Sequence, residues 1–120
     1  MKILVVDDSK LMHKMYEVML RQHALVHAHD GREALDRLRE NLDAHLVLLD
    51  INMPVMNGLE FLEHAKGDAE LATVPVIIVS TEGREEDTRR GLEAGAAAYI
   101  KKPFRNDELL KVVEDVGMER

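Results

Sequence analysis

The chain contains no cysteine, which excludes disulfide bonds, thiolate catalysis and cysteine-based zinc sites. Only seven of its 120 residues are glycine and three are proline, a content typical of a compact globular protein rather than a fibrous or disordered one. No apolar run approaches the roughly 20 residues that a membrane helix needs. A length of 120 residues is close to the commonest size of a domain, so we expect a single domain over residues 1–120.

Positive charge is also scarce, with 16 Lys and Arg residues against 23 Asp and Glu residues. The resulting formal charge of -7 is spread along the chain and repels nucleic-acid phosphates and anionic membranes. We therefore expect neither nucleic acid nor a membrane as a direct partner. The amino terminus reaches Asp7 and Asp8 too soon for a signal peptide, which, with the absence of cysteine, predicts a cytoplasmic protein.

Three continuous apolar runs predict strands that are covered on both faces, because none of them shows the alternation of a half-exposed strand. The runs cover residues 3–6, 46–49 and 74–79. Each run ends in polar side chains, which are Asp7, Asp8, Asp50, Ser80 and Thr81. Two weaker strands are predicted at about residues 25–29 and 97–101.

Between the strands, apolar residues recur at three- and four-residue spacing, which predicts amphipathic helices. The five predicted helices cover about residues 9–22, 31–42, 58–65, 84–94 and 106–116. In the first helix the apolar stripe consists of Leu11, Met12, Met15, Val18 and Met19. Strands that alternate with helices at this spacing imply right-handed crossovers. The predicted fold class is α/β, a doubly wound five-stranded parallel sheet with helices on both faces.

In such a sheet, ligands bind beyond the carboxyl ends of the strands, which is where the polar residues at the ends of the runs fall. Crowded carboxylates repel one another, and a hard cation such as Mg²⁺ relieves the repulsion through oxygen ligands. Lys102, immediately before Pro103, can add an ammonium group to the same site. The chain has no Ser-His-Asp order and no GxSxG motif, so the set suits phosphoryl transfer to an aspartate better than peptide or ester hydrolysis.

Each residue of this set has a predicted role. Asp50 ends the central buried strand beside the other acids and is the predicted phosphoacceptor. Asp7 and Asp8 are predicted to bind the metal ion together with Asp50. Lys102 would pair with the phosphoryl oxygens, and the Ser80 hydroxyl would donate a hydrogen bond to them.

These residues resemble the signature of the receiver domain of bacterial response regulators, and the likeness covers the whole chain. The matching segments are Asp7-Asp8, residues 50–54, Asn57-Gly58, Ser80 and residues 102–104. Any one of these segments is common, whereas all of them at these spacings are highly specific. The likeness is greatest to stand-alone chemotaxis regulators of the CheY type. That family has a flavodoxin-like sheet with strand order 2-1-3-4-5. The resemblance therefore implies this order, which the pattern of apolar runs does not determine.

The resemblance implies a phosphoacceptor rather than an enzyme with a separate substrate. A sensor histidine kinase would supply the phosphoryl group, and Mg²⁺ or Mn²⁺ would be the cofactor. The backbone carbonyl of Asn52 would be a further metal ligand, and the peptide bond between Lys102 and Pro103 would be cis. The positions of Asn52 and Glu82 resemble those that tune the lifetime of the phosphoryl group.

The resemblance also implies a switch. Phosphorylation would draw Ser80 inward, and Tyr99 on the fifth strand would follow. The surface of residues 84–116 would then change its affinity for a downstream target protein, because the phosphoryl group biases an equilibrium between two states. We expect the domain to be a monomer.

Other functions use the same residues. The chain could be a receiver excised from a larger regulator with a DNA-binding or enzymatic output domain, although its ends, close to the first strand and the last helix, favour the stand-alone form. A metal-dependent phosphatase or phosphotransferase would need a cap or second domain to enclose a substrate. A degenerate receiver that acts as a constitutive scaffold would not need the intact set of acids, hydroxyl and lysine.

Two histidines raise the question of a second metal site. His27 and His29 lie on one face of a predicted edge strand. Alternating histidines on an edge strand are more often exposed than bound to metal, and the sequence shows no third partner. We therefore do not predict a zinc site there.

Overall fold

Five strands and five helices alternate along the chain in the computed structural model, which describes residues 1–53, 55–81 and 83–118. The strands are β1 (Lys2–Val6), β2 (Ala24–Ala28), β3 (Leu46–Asp50), β4 (Val76–Thr81) and β5 (Ala98–Lys102). The helices are α1 (Lys10–Met19), α2 (Gly31–Glu40), α3 (Gly58–Lys66), α4 (Glu85–Glu93) and α5 (Asn106–Gly117). Within the described ranges, no helix is both long and apolar enough to cross a bilayer.

All strands pair in parallel, and their order in the sheet is β2-β1-β3-β4-β5. The predicted α/β class and the implied strand order are therefore both confirmed. The chain passes from β1 outward to β2 and then returns to β3 on the other side of β1. Because the direction of connection reverses between β1 and β3, the carboxyl ends of these two strands border the crevice in which ligands bind in such sheets.

The two faces of the sheet carry separate parts of the core. Leu4 and Val6 point to the face covered by α2 and α3, whereas Ile3 and Val5 point to the face covered by α1 and α5. Helical residues in the first cluster include Leu35, Leu38, Phe61 and Leu62, and those in the second include Tyr16, Leu109 and Val113. Burial on both faces explains why the strands read as unbroken apolar runs.

The buried face of α1 differs from the predicted apolar stripe. Leu11 and Val18 of that stripe are 68% and 70% exposed, whereas His13 and Tyr16 are buried. His13 tolerates burial because its Nε2 donates a hydrogen bond to the backbone oxygen of Asp7 at 2.8 Å. A stripe defined by hydropathy could not identify this face, since it counts histidine as polar whether or not its ring nitrogens have partners.

Helix α3 begins next to the end of β3 and requires a glycine there. Asn57 caps the helix in a capping box with Glu60, and Gly58 N–H donates to the backbone oxygen of Ile51 at 3.2 Å. A Cβ atom on Gly58 would lie 2.5 Å from Ile51 Cα and 2.6 Å from the backbone oxygen of Asp50. This close approach of two backbones fixes the segment that follows Asp50.

Replacement of this glycine is therefore expected to destabilise the fold. In Gly58→Ala the added methyl group meets backbone atoms that cannot move aside, so the free energy of unfolding should fall by about 1–3 kcal/mol, as for other overpacked sites. Urea unfolding measures the change. The matched control is Gly67→Ala at the other end of α3, where φ is -84° and the nearest atom is 3.2 Å away. An equal loss in both variants would contradict the explanation.

Candidate functional site

Three carboxylates meet at the carboxyl ends of β1 and β3. Asp7 and Asp8 directly follow β1, and Asp50 is the last residue of β3, which pairs with β1 in parallel register. Each of the three carboxylates has one oxygen atom that lies within 4.8 Å of an oxygen atom of both others. Asp7 is 1% exposed and Asp50 9%, whereas Asp8 is exposed to solvent. The structure thus brings together the three acids that the sequence placed at strand ends.

Asp7 is buried but well supplied with hydrogen-bond donors. Its Oδ1 accepts from the backbone N–H of Ser9 at 2.9 Å, and its Oδ2 accepts from Lys102 Nζ at 2.9 Å. A buried carboxylate is tolerated when it is paired and hydrogen-bonded in this way. The Ser9 hydroxyl in turn accepts from the N–H of Met12 and caps α1, so the start of that helix is fixed beside the acids.

Lys102 supplies the positive charge of the cleft. Its Nζ lies 2.9 Å from Asp7 Oδ2 and 3.7 Å from Asp50 Oδ2, and its side chain is 19% exposed. The neighbouring Lys101 points away and pairs with Glu85 at 3.3 Å on the exposed surface. Of the two adjacent lysines, Lys102 is therefore the one in the site, and the predicted cis peptide bond after it is confirmed.

The environment of Asp50 disfavours its charged form. Burial raises the pKa of Asp50 above its usual value, and repulsion from Asp7 and Asp8 adds to the rise. The backbone N–H of Asn52, which donates to Asp50 Oδ1 at 3.1 Å, and the charge of Lys102 oppose it. Because the net effect is a raised pKa, an added cation would stabilise the charged form of Asp50.

Ser80 lies next to this cleft without a hydrogen-bond partner. It is 1% exposed in β4, one residue beyond the partner of Asp50 in the β3–β4 register. Its Oγ is a buried side-chain oxygen for which no partner exists among the described residues. An unpaired buried hydroxyl costs free energy and calls for an explanation, such as a missing ligand.

The remaining predicted residues lie at or beyond the edge of the cleft. Asn52 is exposed and lines the cleft, whereas Tyr99 in β5 is 50% exposed and does not. Glu82, and Pro54 of the matching segment 50–54, lie outside the described residues.

Sequence reasoning assigned no role to three residues around the acids. Thr81 was expected at the end of its strand but was given no function, and it lines the cleft. Arg84 also lines the cleft, and it belongs to no motif or periodic pattern that would have indicated this position. Tyr16 of α1 is buried beside the acids and stacks on Phe104, with ring centroids 6.5 Å apart. Burial raises the pKa of Tyr16 far above its usual value, so it stays neutral.

The raised pKa of Asp50 leads to a pH-dependent prediction. A carboxyl group whose pKa is higher in the folded protein than in the unfolded chain makes the fold less stable as the pH rises. The loss begins near the pKa of the unfolded chain, about 3.9, and is complete above the pKa of the folded protein. Without divalent cations, Asp50→Asn should therefore be more stable than the wild type at neutral pH, and the difference should vanish below about pH 4. Urea unfolding with a chelator at both pH values measures it.

Asp43→Asn is the control, for which the change in stability should have the opposite sign. Asp43 accepts hydrogen bonds from Lys2 Nζ, and these lower its pKa. Loss of the Asp43 carboxylate should therefore reduce stability at neutral pH. A destabilised Asp50→Asn at neutral pH would contradict a pKa of Asp50 raised by burial and by the neighbouring acids.

Comparison with known proteins gives consistent matches over nearly the whole chain. A family model described as "Response regulator receiver domain" matches residues 3–114. A chemotaxis protein CheY homolog from Campylobacter jejuni is 38% identical, over 97% of this chain and 92% of its own length. Chemotaxis protein CheY1 from Helicobacter pylori is 35% identical, over 97% and 96%. The solved structure of Vibrio cholerae chemotaxis protein CheY4 is similar at a TM-score of 0.87 and 32% identity, covering 96% of this chain and 97% of that one.

Proposed function

Because the chain belongs to the family of response regulator receiver domains, we propose that it is a chemotaxis-type phosphorylation switch in which Asp50 accepts a phosphoryl group. One observation carries the proposal: Lys102 Nζ lies between Asp7 and Asp50, at 2.9 Å and 3.7 Å, in a cleft with three clustered carboxylates. The similarity to proteins named for chemotaxis supports the pathway. A sensor histidine kinase would be the donor.

The donor atoms of the cleft suit a hard divalent cation. They are carboxylate oxygens of Asp7, Asp8 and Asp50. The backbone carbonyl of Asn52, a residue that lines the cleft, would add a further oxygen. Mg²⁺ or Mn²⁺ takes such ligands. The cation would neutralise charge on the phosphoryl oxygens. The raised pKa of Asp50 fits this assignment, since its chief cause is burial, which disfavours the charged carboxylate, and a bound cation would offset that cost.

The chain's own residues account for the transfer. A carboxylate oxygen of Asp50 forms a bond to phosphorus while the bond from phosphorus to the donor's imidazole nitrogen breaks, and that nitrogen keeps the electron pair. Lys102 would stabilise the charge on the transferred oxygens, a role for which its position beside Asp50 is suitable. Ser80 has an unused hydroxyl that could donate to one of these oxygens.

The product stays attached to the domain, so we propose a phosphoacceptor that promotes its own phosphorylation and dephosphorylation rather than an enzyme acting on a separate substrate. It would act in the cytoplasm as a monomer. Its formal charge of -7 argues against nucleic acid as a direct partner.

Intact mass spectrometry tests the acceptor. Incubation with acetyl phosphate and Mg²⁺ should add one phosphoryl group, about 80 Da, to the wild type and none to Asp50→Asn, because the amide is not a nucleophile of this kind. The gain should require the divalent cation. No gain in folded wild-type protein with Mg²⁺ present would favour a constitutive scaffold.

The adjacent lysines give a matched control in the same assay. Lys102→Met should slow the gain by roughly 100-fold, the usual cost of losing one group that stabilises the transition state. Lys101→Met removes the same charge from the exposed pair with Glu85 and should change the rate little. Equal rates in the two variants would remove Lys102 from the mechanism. Urea unfolding of both variants checks that each is folded.

The surface of residues 84–116 has features suited to a switch. Of the nine residues of α4, only Thr88 and Gly91 are buried, so this helix has no large apolar side chain anchored in the core. Its exposed face is held by ion pairs such as Arg89 with Glu86 and Glu93. Surface ion pairs contribute about 0–1 kcal/mol each, so α4 can shift at small cost. We propose that this surface binds the downstream target.

The movement of Tyr99 can be measured because the chain has only two tyrosines. Tyr99 is 50% exposed and Tyr16 1%, so chemical iodination of the unphosphorylated protein should modify Tyr99. Phosphorylation should draw Ser80 to the phosphoryl group and protect Tyr99, lowering its modification several-fold. Peptide mapping locates the label.

Ser80→Ala separates the switch from the acceptor. The variant should still gain the phosphoryl group on Asp50. It should leave Tyr99 reactive, since it lacks the hydroxyl that would draw residue 80 to the phosphoryl group with Tyr99 following. Tyr99 protected equally in the variant and the wild type would refute the coupling through Ser80.

A further inference from the structure

Arg84 brings a second positive charge to the acidic cleft. Of the described residues that line this cleft, only Lys102 and Arg84 are positively charged. Lys102 already pairs with Asp7 at 2.9 Å. A phosphoryl group on Asp50 would add a charge of about -1.5 to -2, as on other phosphorylated side chains at neutral pH. Besides Lys102 and a metal ion, Arg84 is thus the cation placed to neutralise it.

The backbone of Arg84 is fixed at the junction of β4 and α4. Its N–H donates a hydrogen bond to the backbone oxygen of Thr81 at 3.2 Å, which closes the turn after β4. Its own backbone oxygen accepts from the N–H of Thr88 at 2.9 Å and from the Thr88 hydroxyl at 3.0 Å. The side chain therefore starts from a fixed point beside the cleft and can change its partner while the backbone stays in place.

The guanidinium group of Arg84, in contrast, is held weakly. Its Nη1 lies 3.3 Å from Asp87 Oδ2 in the first turn of α4, and the two side chains are 40% and 31% exposed. Such a partly exposed ion pair contributes little, because water and salt screen it. A phosphoryl group offers three acceptor oxygens, to which a planar guanidinium can donate two parallel hydrogen bonds. Exchange of Asp87 for a phosphoryl group is therefore favourable.

Given the proposed phosphorylation of Asp50, on which this inference rests, we propose that Arg84 leaves Asp87 and binds the phosphoryl oxygens. Lys102 would approach the group from the end of β5, and Arg84 from the start of α4. The phosphoryl-binding set would then contain two cationic side chains, in addition to the hydroxyl of Ser80.

The exchange would also connect the phosphoryl group directly to α4. The ion pair of Arg84 with Asp87 joins the first turn of this helix to the residue that precedes it. Because phosphorylation would break this ion pair, the first turn would lose one of the contacts that hold it. The signal would thus reach the surface of residues 84–116 by a route that does not involve Tyr99.

The rate of phosphoryl gain tests the role of Arg84. In intact mass spectrometry with acetyl phosphate and Mg²⁺, Arg84→Met should gain the group about tenfold more slowly than the wild type, the usual loss for one hydrogen bond to a charged group. Arg84→Lys keeps the charge and should recover part of the rate. Arg90→Met removes the same charge from an exposed position in α4 and should change the rate little.

Asp87→Asn separates the exchange from a general effect of charge. The variant frees the guanidinium of Arg84 and should gain the phosphoryl group up to about fivefold faster, the most that a weak ion pair can withhold. In the Arg84→Met background the same substitution should have little effect, and this non-additivity measures the coupling of the two residues. Glu86→Gln, whose carboxylate pairs with Arg89, is the matched control and should keep the wild-type rate.

Phenylglyoxal, a reagent that modifies arginine side chains, tests the contact itself. Phosphorylation of the wild type should protect Arg84 several-fold, and peptide mapping locates the label. Acetyl phosphate should give no protection in Asp50→Asn, which lacks the acceptor. Arg90, exposed in α4, should be modified equally in both states and serves as the internal control.

Two results would overturn the proposal and leave the phosphoacceptor assignment intact. One is a phosphorylated wild type whose rate of gain is matched by Arg84→Met. The other is equal modification of Arg84 with and without the phosphoryl group. Failure of the wild type itself to gain the group would instead refute the proposed phosphorylation. Circular dichroism checks each variant, and if Arg84→Met does not fold, the labelling of the wild type decides.

Discussion

The structure of the cleft depends on one charge balance, that of Lys102 against the buried acids. Its ammonium group contacts Asp7 at 2.9 Å and lies 3.7 Å from Asp50, and it joins the end of β5 to the ends of β1 and β3. Lys102 pairs closely with Asp7 alone, so the other two carboxylates remain available to a cation. Burial above all raises the pKa of Asp50, and a divalent cation that stabilises its charged form would suit the cleft to phosphoryl chemistry.

Much of this arrangement could be predicted because it rests on short-range features of the sequence. Strands buried on both faces appear as unbroken apolar runs, so their ends, with Asp7 and Asp50, could be located to within a residue or two. Adjacency to Pro103 pointed to Lys102, and it is Lys102 rather than the neighbouring Lys101 that lies beside Asp7. Since parallel strands place their carboxyl ends at one edge, clustering of these residues followed from topology.

What could not be predicted depends on contacts between distant parts of the chain. The inward face of α1 contains His13 because the backbone oxygen of Asp7 receives its N–H, and no local pattern records that partner. Arg84 lines the cleft because α4 begins close to the end of β4. The missing hydrogen bond of Ser80 likewise appears only once its surroundings are known.

The weak anchoring of α4 also bears on how such a domain can diversify. A helix that buries only Thr88 and Gly91 contributes few of the contacts that hold the two core clusters together. Most substitutions on its outer face therefore leave the stability of the fold and the chemistry of the acidic cleft unchanged. If this surface binds the downstream target, as proposed, selection can rewrite its partner specificity while the acidic cleft stays constant, so that one scaffold can serve many signalling pathways.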